Sequence, residues 1–363
     1  MIYLEKGLKL KWLAVIFSVF CLVASFGIGN IAQVNGISHS IQQTFHLEGA
    51  VASLLTGMGM DSAAAAQAAS YLPGLLVGIV VAAFVGVVII GGLKRIASVT
   101  EKLVPFMAIF YIIGSLIVIC CNIQNVPAAF GRIFEGAFSL RSVGGGVMGY
   151  VMAQAIRYGL ARGVFSNEAG LGSSVMVHSN SNVKEPVVQG MWGIFEVFFD
   201  TIVVCTLTAL TILSTNADLV EGLEGVNVTI YAFKSVLGDV GGYIVTFGML
   251  LFAFSTILGW SIYGTRAIQY LTRNSKRPAL YETIYKSIFT VVVIVGAMSS
   301  VQLVWDLSDT FNGLMALPNL IGVLFLSPIV IKVTRNYVDR KFKGSDVKPM
   351  QSYHDDEPVS QDK

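Results

Sequence analysis

Residues 72–92 contain no charged side chain, and several other stretches of this chain read the same way. About 20 consecutive apolar residues in a helix reach across the hydrocarbon core of a bilayer. Backbone in lipid has to satisfy its own hydrogen bonds, so such stretches are confined to helices there. Eight are read from the sequence: 10–32, 72–92, 103–121, 146–177, 187–213, 243–263, 287–304 and 311–331. The expected fold class is an all-α, multi-spanning membrane protein. Composition agrees, with 54% hydrophobic and 13% charged residues, where a soluble domain carries about a quarter charged. No soluble domain of useful size is left. The polar tail 334–363 is expected to lie in the cytoplasm and to be disordered after Lys343.

Lys and Arg concentrate before the first stretch and after the second, fourth, sixth and eighth, whereas the alternate loops carry only Arg132, Arg141 and Lys234. The positive-inside rule then puts both termini in the cytoplasm. Lys6, Lys9 and Lys11 resemble the n-region of a signal peptide. The apolar run that follows is too long for one, and no clean cleavage site ends it, so it reads as a retained span. The outer loops 34–71, 122–145 and 214–242 have the lengths of external covers or of simple connectors, and the last two look partly helical. Cys21, Cys120, Cys121 and Cys205 sit in apolar surroundings without metal-ligand spacing and read as reduced packing residues. His39, His46, His178 and His354 form no helical pair suited to a metal.

One of the eight stretches is interrupted. FSNEAGLGS at 165–173 places Asn167, Glu168, Gly170 and Gly172 inside an otherwise membrane-like sequence. Irregular backbone at membrane depth is tolerated only inside protein or beside a cavity. A half-helix that ends at such a break turns free carbonyls toward it, and one that begins there turns free N–H groups and a positive dipole end. Carbonyls suit Na⁺ and N–H groups suit a carboxylate, so one break can hold both an amino acid and its ion. A tight cytoplasmic loop between two short helices is the alternative. Arg157 and Arg162 argue against lipid exposure of this helix and call for acidic or carbonyl partners.

Three further constellations carry polar groups within spans. Ser255 and Thr256, after Phe252, offer adjacent oxygens to a hard cation, or bond back to their own helix. Trp260, one turn on, walls a pocket or anchors the helix at the interface. Asp200, beside Thr201 and one turn after Glu196, needs a partner: an ion, Arg157 or Arg162, or a cap. Gln33 and Asn30, near the outer end of the first span, reach a substrate or merely finish the helix. A P-loop, a Ser-His-Asp or HExxH arrangement and a row of voltage-sensing arginines are all missing from the sequence, which leaves secondary transport ahead of ATP-driven transport, intramembrane hydrolysis and voltage sensing.

FSNEAGLGS at 165–173, FDTIVVCT at 199–206, AFSTILGW at 253–260 and KRIASVTEKLVPFM at 94–107 resemble the alanine or glycine:cation symporters, the sodium:alanine symporter family of amino acid carriers. The motifs occur in the family's order and cover nearly the whole chain up to the tail. The resemblance implies a leucine-transporter-like (LeuT, APC superfamily) fold, with two five-helix inverted repeats whose first helices are broken. The fourth span would open the second repeat. Phe165 and the backbone of Asn167, Ala169 and Gly170 would line the substrate pocket, with Gln33 and Trp260 facing it. Ser255 and Thr256 would hold Na⁺ together with the broken helix of the first repeat, and Phe252 and Asp200 join the ion-site candidates. Only three spans precede the fourth, where the family has five. By this resemblance the chain lacks the first two core helices and is short by about a hundred residues, those helices being either encoded upstream or lost; loop 49–71 is longer than the family pattern. The implied activity is import of alanine or glycine with Na⁺ or H⁺ across the cell membrane by alternating access. No enzyme activity and no cofactor other than the coupling ion are implied. The partners are the amino acid, Na⁺ and the lipid bilayer, with no nucleic acid. The rival reading is a non-transporting membrane fragment or interaction protein.

Overall fold

In the computed structural model, residues 1–138 and 145–350 are described, the side chains of 145–151 apart. Arg141, part of the loop 122–145 and the tail beyond 350 lie outside the described residues. Among the described residues all regular structure is helical. The main helices are α1 (Lys11–Phe45), α2 (Leu47–Gly57), α3 (Ser62–Ile90), α4 (Gly92–Cys121), α5 (Val126–Phe138), α6 (Gly145–Asn167), α7 (Val175–His178), α8 (Pro186–Ser214), α9 (Val226–Leu237), α10 (Asp239–Leu271), α11 (Pro278–Ala297) and α12 (Val301–Phe342). Seven of these, α1, α3, α4, α8, α10, α11 and α12, are long and apolar enough to cross a membrane. The described part of α6 is not among them; Gln154, Arg157 and Arg162 lower its hydropathy.

Several boundaries differ from the sequence reading for identifiable reasons. The Ala-rich tract 63–69 forms the first turns of α3, not an outer loop. The Asp61 side chain caps it, accepting the backbone N–H groups of Ala63 at 3.0 Å and Ala64 at 3.3 Å, and Ala has the best helix propensity. The expected span 287–304 straddles the turn at 298–300, where Ser300 is extended at ψ 145°. The polar run 305–310, read as a connection, continues α12. That helix also extends through the start of the expected tail to Phe342, with Arg340 and Lys341 in its last turn, where cations favour the carbonyl end of the helix dipole.

The core sits around α10, which packs against α1, α4, α9 and α11. One layer joins Val34, Ile37, Val85, Ile257, Leu258, Phe289 and Val293. A second joins Phe17, Cys21, Ala24, Ile28, Leu171, Trp260 and Met315. Close approach of α1 and α10 depends on Gly29: a Cβ there would lie 2.2 Å from Trp260 Cβ. Polar side chains of α1 finish the neighbouring helix. Asn35 Nδ2 donates to Gly296 O (3.2 Å) and Ser299 O (2.7 Å), and Ser38 Oγ to Ala297 O (2.9 Å). Gly296 and Ala297 end α11, where the last carbonyls have no partner within the helix, and Ser299 lies in the turn that follows. Outward faces carry exposed Ile90, Phe84, Leu324 and Phe325; lipid, not water, is the solvent in which such faces are stable.

Candidate functional site

The break begins where α6 ends at Asn167. Glu168 takes a left-handed conformation (φ 55°), its N–H still donating to Val164 O at 3.0 Å. For a residue with a Cβ this costs about 1–2 kcal/mol, so the surroundings must hold it. The Asn167 side chain folds onto the turn and accepts Ala169 N–H at 2.9 Å, while Leu171 N–H donates to Glu168 O at 3.1 Å and Ser173 Oγ to Glu168 Oε2 at 2.5 Å. Gly170 and Gly172 then supply φ of 83° and 77°, which L side chains rarely adopt. Leu171 between them is fully buried in the core. The expected second half-helix is short. Only α7, a single turn from Val175, follows, so the site's strong helix end is the carbonyl end of α6, where the last carbonyls have no partner within the helix.

Two neighbours face the end of α6. Within α8, Phe199–Val204 is a π-helical turn, a feature frequent at functional sites. Ser166 Oγ donates to Asp200 Oδ2 at 2.5 Å, and Asn167 Nδ2 donates to Thr201 Oγ1 at 3.0 Å. Consecutive residues of the broken helix thus meet consecutive residues of the wide turn. Asp200 does not pair with Arg162. Arg162 instead pairs with Asp309 of α12, its guanidinium 4.0 Å from the Trp305 ring centroid. Phe165 lies against the same indole, centroids 4.9 Å apart.

Two cavities flank the break. One, of about 310 Å³, is lined by Gln33, Asn35 and His39 of α1, Phe165 of α6, Glu224 and Asn227 at the start of α9, Met249, and Trp305. The other, of about 200 Å³, is lined by Ser166, Asn167, Glu168, His178, Glu196, Asp200 and Tyr263. Ser174, His178, Gly193 and Val197 are shared with a wider vestibule of about 770 Å³ between α7 and α8. His178 stands at this junction, Nε2 3.3 Å from Glu196 Oε2 and Nδ1 2.5 Å from Gln189 Nε2.

The sequence-predicted residues are therefore distributed. Gln33 and Phe165 share the first cavity; Asn167 and Asp200 share the second. Gln33 Nε2 donates to Ile28 O at 2.9 Å. That carbonyl belongs to the π-helical turn Gly27–Ile31 of α1, so the amide keeps only its remaining donor and its oxygen for the cavity. Ala169 is exposed, and Gly170 O is taken by Asn319 Nδ2 at 2.8 Å. Trp260 is 1% exposed, packed over Gly29 and edge-on to Tyr263. Ser255 and Thr256 both donate to Phe252 O, at 2.8 and 2.9 Å, which leaves their oxygen lone pairs as acceptors. Neither lines the cavities at the break. Phe252 packs edge-on against Tyr111 of α4.

Sequence reasoning missed Trp305, Asp309 and Asn319. The signal for the first two was present: with 305–310 assigned to a connection, a Trp and an Asp one turn apart lost the helical face that makes them partners of Phe165 and Arg162. Asn319, beside Pro318 in an apolar run, gives no local signal.

Comparison with known proteins gives a consistent result. The profile of the sodium:alanine symporter family matches residues 1–351. An uncharacterized transporter of Haemophilus influenzae is 40% identical over 344 residues, covering 94% of this chain and 68% of that protein. The sodium/alanine symporter AgcS of Methanococcus maripaludis is 38% identical over 346 residues, covering 93% and 68%. The amino-acid carrier protein AlsT of Bacillus subtilis is 33% identical over 346 residues, covering 95% and 66%. The chain thus spans about two thirds of the length of these relatives.

Proposed function

Because the chain belongs to the sodium:alanine symporter family, a family of membrane transporters and not of enzymes with Na⁺ as the coupling ion, we propose that it imports alanine or glycine across the cell membrane together with Na⁺. The observation that carries this reading is the break itself. The carbonyl end of α6 stops between two cavities, with Asp200 and Thr201 bonded to its last residues. Unwound backbone of this kind is where secondary transporters hold ions and small substrates.

In this reading the amino acid enters the cavity of Gln33, Phe165 and Trp305, and for its polar groups to meet the backbone of 167–170, of which Asn167 and Glu168 line the neighbouring cavity, the break has to move. A cavity of about 310 Å³ is at the small end of the range for ligand pockets, which favours a compact substrate. Na⁺ takes oxygen ligands, and the candidates are the α6 carbonyls, Asp200, and the hydroxyls of Ser255 and Thr256, whose own bonds occupy Phe252 O. Alternating access would be a movement of the broken helix against the α1–α10–α11 packing. The arrangement expected is the LeuT-like inverted repeat, with α6 opening the second repeat and α8, α10, α11 and α12 completing it. Both termini would face the cytoplasm, which puts the vestibule between α7 and α8 on that side, beside Lys184.

The test is uptake of labelled alanine and of glycine into proteoliposomes under an imposed Na⁺ gradient. Uptake that collapses with the gradient supports the reading. Uptake driven only by a proton gradient moves the coupling to H⁺. No gradient-driven uptake of either amino acid would falsify the transport reading and favour a non-transporting membrane protein.

A further inference from the structure

Asn319 is 4% exposed and uses both ends of its amide. Nδ2 donates to Gly170 O at 2.8 Å, and Oδ1 accepts the Tyr3 hydroxyl. The same amide covers the second glycine of the break: a Cβ on Gly172 would lie 2.5 Å from Asn319 Oδ1. One side chain of α12 therefore touches both glycines of the break and the segment that precedes α1.

The geometry points to Asn319 as the positioning residue of the break, deepening the reading of that break as the amino-acid and ion site. A peptide unit is planar, so Gly170 C=O and Leu171 N–H turn together. Here both are held: the carbonyl by Asn319 and the N–H by Glu168 O at 3.1 Å. A peptide that follows a glycine flips easily unless something holds it, because glycine populates both signs of φ. With the 170–171 plane held at both ends, the turn that aims the α6 carbonyls has one orientation. Tyr3 selects the rotamer of the amide, and its own segment is fastened at the far end of α10, where Glu5 accepts hydrogen bonds from Tyr270 and from Arg273. The break is thus tied to α12 and, through Tyr3, to α10.

Asn319→Leu keeps the branching and number of side-chain heavy atoms and removes both bonds. In the full-length protein in proteoliposomes it should raise the half-saturating amino-acid concentration about tenfold, the scale expected when a buried partner is left unsatisfied, with the maximal rate within about twofold. Tyr3→Phe, which only frees Asn319 Oδ1, should raise it about threefold. A merely structural role would instead lower the maximal rate and the yield of protein and leave the half-saturating concentration alone. Hydrogen–deuterium exchange over 165–174 is the second readout: both variants should exchange faster at Leu171, with α11 unchanged. Should Asn319→Leu not fold, Tyr3→Phe decides. Unchanged half-saturation and unchanged exchange in the folded variants overturn the proposal. Absence of Na⁺-driven uptake in the unmodified protein would sink the transport reading instead, and the exchange measurement would still decide the role of Asn319.

Discussion

In α1, 56% of the most apolar stretch is buried inside the protein, whereas in α8 the share is 17%. The contrast extends to how each region is fastened. α1, α3, α10 and α11 interdigitate through apolar side chains, and the Asn35 and Ser38 amide and hydroxyl close the end of α11. α6 and the break meet α8 and α12 largely through discrete polar contacts, Ser166 with Asp200, Asn167 with Thr201, Arg162 with Asp309, and Gly170 with Asn319, beside the ring contact of Phe165 with Trp305. Close-packed surfaces resist small displacements, because dispersion contacts are lost as soon as atoms separate. Polar contacts can be exchanged for others, including those to a ligand, at small net cost. The region that carries the break is thus held by contacts that can be exchanged, and the packed region beside it is the more rigid frame.

Mutations should separate the two regions. The largest effect on stability is expected in the frame. Trp260→Ala removes a side chain packed against Gly29 and Tyr263 and should cost about 3–5 kcal/mol, read as a lower thermal midpoint in detergent; an unchanged midpoint would mean that the α1–α10 contact does not carry the frame. Gly172→Ala is expected next, and its effect should fall on transport. A left-handed backbone and a Cβ set against Asn319 cost about 1–3 kcal/mol locally, enough to cut uptake at least tenfold while the thermal midpoint stays within a few degrees. Asp200→Asn removes a carboxylate that accepts from Ser166. A hydrogen bond to a charged group contributes about 1.5–3 kcal/mol, so uptake should fall about tenfold. If Asp200 also faces the ion, the Na⁺ concentration for half-maximal uptake rises as well; a Na⁺ dependence that does not move restricts Asp200 to holding Ser166.

The smallest effect is expected at the Glu5–Arg273 pair beyond the spans. Hydrogen bonds from Arg273 and then Tyr270 hold the Glu5 carboxyl down to about 2. A carboxylate whose value is lowered on folding contributes stability above its ordinary range and loses it as pH falls through the lowered value. Its contribution to stability should therefore be constant from neutral pH down to about 5, decline as pH falls through the ordinary carboxylate range, and be largely gone near pH 2. Glu5→Gln should leave the pH dependence of stability unchanged between pH 5 and 8, measured by thermal denaturation across that range. A difference that varies with pH within that window would show that Glu5 titrates there.

Much of the candidate site could be read before the fold. Asn167, Gly170 and Gly172 stand out because residue type alone marks them: polar or glycine in an apolar run, with no helical reason to be there. Asp200 stands out for the same reason. Their partners could not be read. Asp200 was equally suited to Arg157 or Arg162, to an ion or to a cap, and the choice of Ser166 follows from the wide turn that sets 200 and 201 against 166 and 167. Ser255 and Thr256 show the reverse case: the motif is conspicuous, yet both hydroxyls bond to Phe252 O and lie away from the cavities at the break.

The amino-acid sequence by itself determined that this chain is helical, that it belongs in a bilayer, and that one helix is interrupted at 167–172. Those properties follow from hydropathy over about 20 residues and from which residues tolerate positive φ, both of which are local. Only the tertiary structure decided what holds the interruption open. Tyr3, Gly170 and Asn319 are brought together from both ends and the middle of the chain, and no local pattern encodes a contact that exists only once α12 has packed against the break.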